Sequence, residues 1–115
     1  MKATRFYSKK QEKSVAKSLG GRTVANSGAT LFSDGDVTVS RYFLIECKTT
    51  MTPKQSFAIK KEWLKKIEKE RLAMGKEDCA LAFNFSPNEQ SYYIISENTF
   101  RQYIDYLRQC DESNS

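Results

Sequence analysis

The sequence predicts an α/β fold: a mixed central β-sheet of about five strands flanked by helices, in the order α-β-β-β-α-β-β-α. Two patterns predict it. Short stretches alternate apolar and polar residues with period two, and between them lie longer stretches with 3.6-residue apolar spacing. Clusters of Gly, Asn, Ser and Pro separate these stretches, as turns require. The 115 residues suit a single domain over 1–115, with a polar tail from about Asp111.

Ser8 is placed to cap a first helix that runs to about Leu19 and stops at Gly20-Gly21. Arg22–Ala25 reads as a short strand, and Asn26-Ser27-Gly28-Ala29 as a turn. Asp36–Ser40 and Tyr42–Thr49 both alternate and read as strands, paired as a hairpin that reverses near Arg41. Thr52-Pro53 opens a long helix to about Met74, with Thr52 as cap, Pro53 in the first turn and Gly75 as its end. Cys79–Phe85 and Tyr92–Ser96 are two further strands, joined by Ser86-Pro87-Asn88-Glu89. Thr99–Arg108 closes the chain as a helix whose Phe100, Tyr103, Ile104 and Leu107 have core spacing.

Composition narrows the chemistry. The chain has no histidine, which removes Ser-His-Asp and Cys-His nucleophilic systems and Cys/His zinc fingers. Cys47, Cys79 and Cys110 are far apart and odd in number, so a disulfide framework or a four-ligand zinc site is not expected. Reduced thiols, the lack of an apolar run long enough to span a bilayer and a lysine-rich start without a following apolar stretch point to a cytoplasmic protein. The net charge of +5 is unevenly spread. Residues 1–33 carry +6, 34–50 carry −1, 51–76 carry +5 and 77–115 carry −5. A small acidic cluster thus sits inside a basic two-thirds, which suits a polyanion-binding face with a metal site in its middle, or else an ordinary solvated surface.

Four residues do not suit a plain core. Glu12 shares a helix face with Val15, Ala16 and Leu19, on or beside the buried stripe. In the strand Tyr42–Thr49, Phe43, Ile45 and Cys47 form the apolar core face, and Leu44, Glu46 and Lys48 form the other. A hairpin would bring Asp36 near Glu46. Two carboxylates that close repel unless a cation lies between them, and oxygen ligands without His or Cys favour Mg²⁺ or Mn²⁺.

The segment SGATLFSDGDVTVSRYFLIECK resembles the active-site hairpin of the PD-(D/E)xK nuclease superfamily. Gly35-Asp36-Val37 stands for the P-D-hydrophobic element, Glu46-Cys47-Lys48 for E-x-K, and Glu12 for the helical acid. The arrangement is most similar to Holliday junction resolvases of the archaeal and phage kind, over roughly residues 8–75. Gly35 replaces the proline, and Asp34 competes with Asp36 as the first acid.

The resemblance implies a restriction-endonuclease-like core and Mg²⁺-dependent hydrolysis of DNA phosphodiesters, with Mn²⁺ able to substitute. Asp36, Glu46, the backbone carbonyl of Cys47 and Glu12 would hold the metal. Lys48 would orient a water or stabilise the transition state. It also implies a homodimer acting on four-way junctions. Candidate DNA contacts are Ser27 and Thr30 in the turn, Gln55 after the E-x-K strand, Lys61, Lys65 and Lys69 (with Lys54) along the long helix, and Lys9 and Lys13 near Glu12. Alternatives are another small nuclease of restriction, repair or homing type, or a basic nucleic-acid-binding module without catalysis.

Overall fold

A computed structural model describes residues 2–24 and 36–114, with side chains from residue 5 onward. The predicted Asn26–Ala29 turn, Ser27, Thr30 and the competing acid Asp34 lie outside the described residues.

Helix α1 spans Lys2–Leu19. It starts six residues before the expected Ser8 cap, because neither glycine nor proline interrupts the sequence before Gly20; Ser8 is interior. Gly20 takes φ +67°, and the Gly21 N–H donates to Ala16 O at 2.8 Å, which closes the helix in a left-handed cap. A Cβ on Gly21 would stand 2.4 Å from the Thr38 carbonyl oxygen, so only glycine lets the chain leave α1 and pair at once with the sheet.

The strands are β1 (Arg22–Thr23), β2 (Val37–Val39), β3 (Phe43–Lys48), β4 (Asp78–Phe83) and β5 (Tyr92–Ile94), and they lie in that spatial order. All neighbours are antiparallel except β3 and β4, which are parallel and are joined through helix α2 (Lys61–Met74). The β2–β3 turn falls at Ser40-Arg41-Tyr42, with Ser40 at φ +50° and the Tyr42 N–H on Val39 O at 3.0 Å. This is a three-residue hairpin loop.

Helix α1 packs over β1, β2 and β3, and α2 over β3 and β4. Val15 and Ala16 meet Val37, Ile45, Cys47, Ala80 and Ala82 on one face. Leu44 and Leu81 alternate to the other face, that of Ile67. Both faces of β3 are therefore core, with Leu44 at 0% and Ile45 at 1% exposure; the expected division into one core face and one polar face holds only at Glu46 and Lys48. Leu19, expected on the buried stripe, is exposed at the helix end.

Two helices depart further from expectation. Thr52-Pro53 opens no helix: α2 begins at Lys61, after an extended Lys60 with no side-chain cap. The chain between is held by tertiary contacts instead. The Lys54 N–H donates to Phe85 O at 2.8 Å, and the Phe57 ring lies 5.2 Å from Phe83 and 6.4 Å from Trp63. Gly75, at φ +72°, ends α2 as expected. Helix α3 spans Glu97–Ser113, longer at both ends than the expected Thr99–Arg108. Its apolar stripe is not core. Phe100 and Tyr103 are 54% exposed and Leu107 40%, because α3 leaves the sheet and lengthens the molecule to 54 Å against widths of 33 and 26 Å. No helix among the described residues is long and apolar enough to cross a membrane.

Helix α3 is anchored at its start. Ser96 Oγ accepts the Thr99 N–H at 3.1 Å, and Thr99 Oγ1 donates to Asp78 Oδ1 at 2.7 Å. With so little tertiary packing, the helix depends on that cap. Ser96→Ala removes about 1 kcal/mol of capping. Amide exchange within α3 should then accelerate about fivefold while exchange in β3 and β4 stays unchanged. Equal protection of α3 in the two proteins would show that the cap does not hold it.

Candidate active site

The β2–β3 hairpin builds the site. Its register sets Val37 opposite Ile45, which leaves Asp36 at the open end of the hairpin beside Glu46 and Cys47. The Asp36 N–H donates to Ile45 O at 3.0 Å, and Asp36 Oδ2 accepts the Cys47 N–H at 2.7 Å. The carboxylate thereby takes the place of a backbone acceptor just beyond the last strand pair, and its orientation is fixed by the sheet.

Glu46 is 6% exposed and points to the α2 face. Its Oε2 lies 3.3 Å from Lys48 Nζ and its Oε1 3.7 Å from Lys66 Nζ. Lys66 also reaches Glu70 Oε2 at 3.5 Å, one helical turn along α2. The Lys48 ammonium stands 4.4 Å from the centre of the Trp63 ring, a cation–π contact that fixes its direction.

Glu12 completes the cluster from α1. Burial, then Asp36, and more weakly Glu46 push its carboxyl up to about 7, against the pull of Lys9. Asp36 is raised too, first by burial and then by Glu46, while the Cys47 N–H lowers it. Each carboxyl makes the next harder to ionise, which is the signature of acids gathered with too little positive charge. Burial pushes the Cys47 thiol well up, with Asp36, Glu12 and Glu46 adding to it, so it stays neutral.

The structure thus brings together Glu12, Asp36, Glu46 and Lys48. It does not bring the lysine stripe to them. Lys61, Lys65 and Lys69 are exposed on α2, with Lys65 and Lys69 on the side opposite the buried Ile67 by 3.6-residue spacing. Lys54 and Gln55 belong to the extended segment before α2, so neither shares that stripe or starts the helix. Lys9 acts on Glu12 through its charge, and Lys13 is exposed one turn further along α1.

Sequence reasoning missed three residues. Gln11 is 4% exposed, and its Nε2 donates to Lys48 O at 2.7 Å and to Ala82 O at 3.4 Å. It ties α1, one residue before Glu12, to the end of the E-x-K strand. Its position four before Val15 marked it as a polar residue on the buried stripe. Trp63 bears on the site through the Lys48 ammonium over its ring, a contact that helical spacing does not signal. Lys66 was overlooked beside the Lys61-Lys65-Lys69 stripe, although its pairing with Glu70 four residues on was visible.

The donor set suits a hard divalent cation: carboxylate oxygens, a neutral thiol that will not compete, and a buried Glu46 Oε1 that receives no hydrogen bond. Among the described residues no three acidic groups converge closely enough to enclose an ion as they stand; Lys48 and Lys66 hold Glu46 instead.

The same architecture occurs in Hjc, a Holliday junction resolvase from the archaeal hyperthermophile Archaeoglobus fulgidus. The two superpose with a TM-score of 0.54 over 73% of this chain and 72% of that one, at 16% sequence identity. The chain has the restriction-endonuclease-like fold. No family model and no curated protein matches the sequence, so the likeness to the resolvase is one of fold.

Within this fold the raised Glu12 carboxyl has a consequence for stability. Its folded value near 7 lies above its ordinary 4.5, so the folded state retains a proton that the unfolded chain releases. Between about pH 4.5 and 7 this group makes the metal-free protein less stable as pH rises. Glu12→Gln should therefore raise the melting temperature at pH 8 and leave it nearly unchanged at pH 4. A variant no more stable than the wild type at pH 8 would show that Glu12 carries no such strain.

Proposed function

We propose that this chain is a divalent-metal-dependent endodeoxyribonuclease that cuts four-way DNA junctions. The observation that carries the reading is the gathering of Glu12, Asp36, Glu46 and Lys48 at the open end of one hairpin, within the fold shared with an archaeal resolvase.

Asp36 and Glu46, with the Cys47 carbonyl and Glu12, would hold Mg²⁺ or Mn²⁺. A bound ion supplies an acidified water and neutralises charge at the attacked phosphate. Asp36 is oriented for this by the Cys47 N–H. Glu12, partly protonated at neutral pH, releases its proton as cationic charge arrives. The Lys48 side chain, steadied by Glu46 on one side and Trp63 on the other, would stabilise the charge that builds on the phosphate. Gln11 keeps α1, and so Glu12, at a fixed distance from the end of β3.

Two symmetric strands must be cut in a junction, which calls for two such sites. The exposed Phe100, Tyr103 and Leu107 face of α3 supports a homodimer formed through that helix. The −5 carried by residues 77–115 keeps this end of the molecule away from DNA, while the basic charge of α1 and α2 faces it.

Asp36→Asn and Glu46→Gln should each abolish Mg²⁺-dependent cleavage of a four-way junction and leave junction binding equal or tighter, because each removes a negative charge from a phosphate site. Calcium should support binding without cutting. Cleavage by either variant near the wild-type rate, or full cleavage in excess chelator, would sink the reading. Salt-sensitive binding with no cleavage by the wild type would instead mark a binding module.

The lysine stripe is tested separately. If Lys61, Lys65 and Lys69 each neutralise a phosphate, replacing all three by alanine lowers the slope of log K against log salt by up to roughly 2.7. Binding should weaken alike for every sequence. An unchanged slope in a protein with the same melting temperature would assign the stripe to water and leave the DNA face to α1.

A further inference from the structure

Glu46 is buried with an ammonium on each oxygen, Lys48 at 3.3 Å from Oε2 and Lys66 at 3.7 Å from Oε1. A buried carboxylate needs such partners to remain ionised. The same partners stand in the way of any ion that Glu46 is to ligate. The two lysines differ in what else holds them. Lys48 has Trp63 beneath it and, among the described residues, its one side-chain ion pair is with Glu46, with Asp36 feeling its charge at longer range. Lys66 pairs with a second carboxylate, Glu70, at 3.5 Å on the same helix. Its side chain is also 45% exposed, against 29% for Lys48, so it can move with little repacking.

We propose that Lys66 is a placeholder cation: it neutralises Glu46 while no divalent ion is bound, and cedes Glu46 to the ion while remaining paired with Glu70. Lys66 is thus a positioning residue for the metal site. This rests on the nuclease reading above, because it presumes that Glu46 ligates a metal. The geometry requires no large rearrangement, since Lys66 already touches both carboxylates and has only to release one. Glu70, which sequence reasoning assigned no role, becomes the group that makes the release possible. The arrangement also accounts for Glu46 being held in place although, among the described residues, no three acids converge closely enough to enclose an ion.

The test is Mn²⁺ binding to the DNA-free full chain, measured calorimetrically, for the wild type, Glu46→Gln, Lys66→Met, Glu70→Gln and the Lys66→Met/Glu70→Gln double variant. Lys66→Met removes the competitor and should bind Mn²⁺ about three- to fivefold tighter, the scale set by a partly exposed ion pair. Glu70→Gln leaves Lys66 with Glu46 alone and should bind more weakly by a similar factor. The double variant should bind as tightly as Lys66→Met, because the effect of Glu70 on the ion is exerted through its pairing with Lys66. Thermal melts add a readout that a plain structural ion pair would not give. Lys66→Met should melt lower than wild type without metal at pH 8, and should lose that deficit in saturating Mn²⁺. An additive cycle, in which Glu70→Gln weakens binding equally in the Lys66→Met background, overturns the proposal, as does a deficit that persists with Mn²⁺. Both results leave the nuclease reading intact so long as Glu46→Gln loses Mn²⁺. A wild type that binds no Mn²⁺, or binds it as well after Glu46→Gln, overturns the metal site itself and the placeholder with it.

Discussion

The hydrogen bond from the Cys47 N–H to Asp36 Oδ2 is the constraint on which the site depends. In a sheet each N–H must find an acceptor, and here a side chain serves where the short β2 strand has run out. That substitution places a carboxylate at the end of a hairpin and removes its freedom to turn away. Everything else in the cluster is located relative to it: Glu46 by the β3 pleat, Glu12 by the packing of Val15 and Ala16 against Val37, Ile45 and Cys47. The parallel β3–β4 pair, backed by helices on both faces, keeps that hairpin rigid because neither β3 face meets solvent along its middle.

The same burial that fixes the acids makes them costly. Glu12 and Asp36 are deprived of water, and neighbouring carboxylates oppose their ionisation further. A protein concerned only with stability would place apolar residues here, as buried ion pairs rarely improve on well-packed hydrocarbon. Two lysines reach Glu46, whereas Glu12 has Lys9 to favour its charged form and is pushed up to about 7 by burial and Asp36. Local rules of burial are broken at one place in an otherwise consistent α/β core, which is where function is expected to lie.

The core of the fold was legible because period-two and 3.6-residue patterns are set by burial, and burial is what the sheet and helices share. The hairpin, a mixed sheet, the helix end at Gly75 and the gathering of Glu12, Asp36, Glu46 and Lys48 all followed from spacing alone or from the resemblance it supported. What failed lay where local signals compete with contacts distant in sequence. Thr52-Pro53 is a sound helix start, yet the segment after it is irregular and places Phe57 against Phe83 and Trp63, contacts distant in sequence or across elements that local signals do not carry. Phe100, Tyr103 and Leu107 have true amphipathic spacing, yet spacing cannot say whether the surface they match belongs to this chain. Gln11, Trp63 and Lys66 were missed for a related reason: each acts through a partner at least fifteen residues away, on another element.

Charge follows the same division as the fold. Helices α1 and α2, which clasp the sheet, carry most of the lysines, while α3 and the strand pair leading to it are acidic. A polyanion approaching this molecule is drawn to the helices that flank the carboxylate cluster and repelled from the α3 end. Within the cluster, Lys9 eases the charging of Glu12, and Lys48 and Lys66 ease that of Asp36. A cluster of acids inside a basic surface therefore keeps two kinds of charge side by side, with Glu46 held by Lys48 and Lys66 within a surface that draws anions.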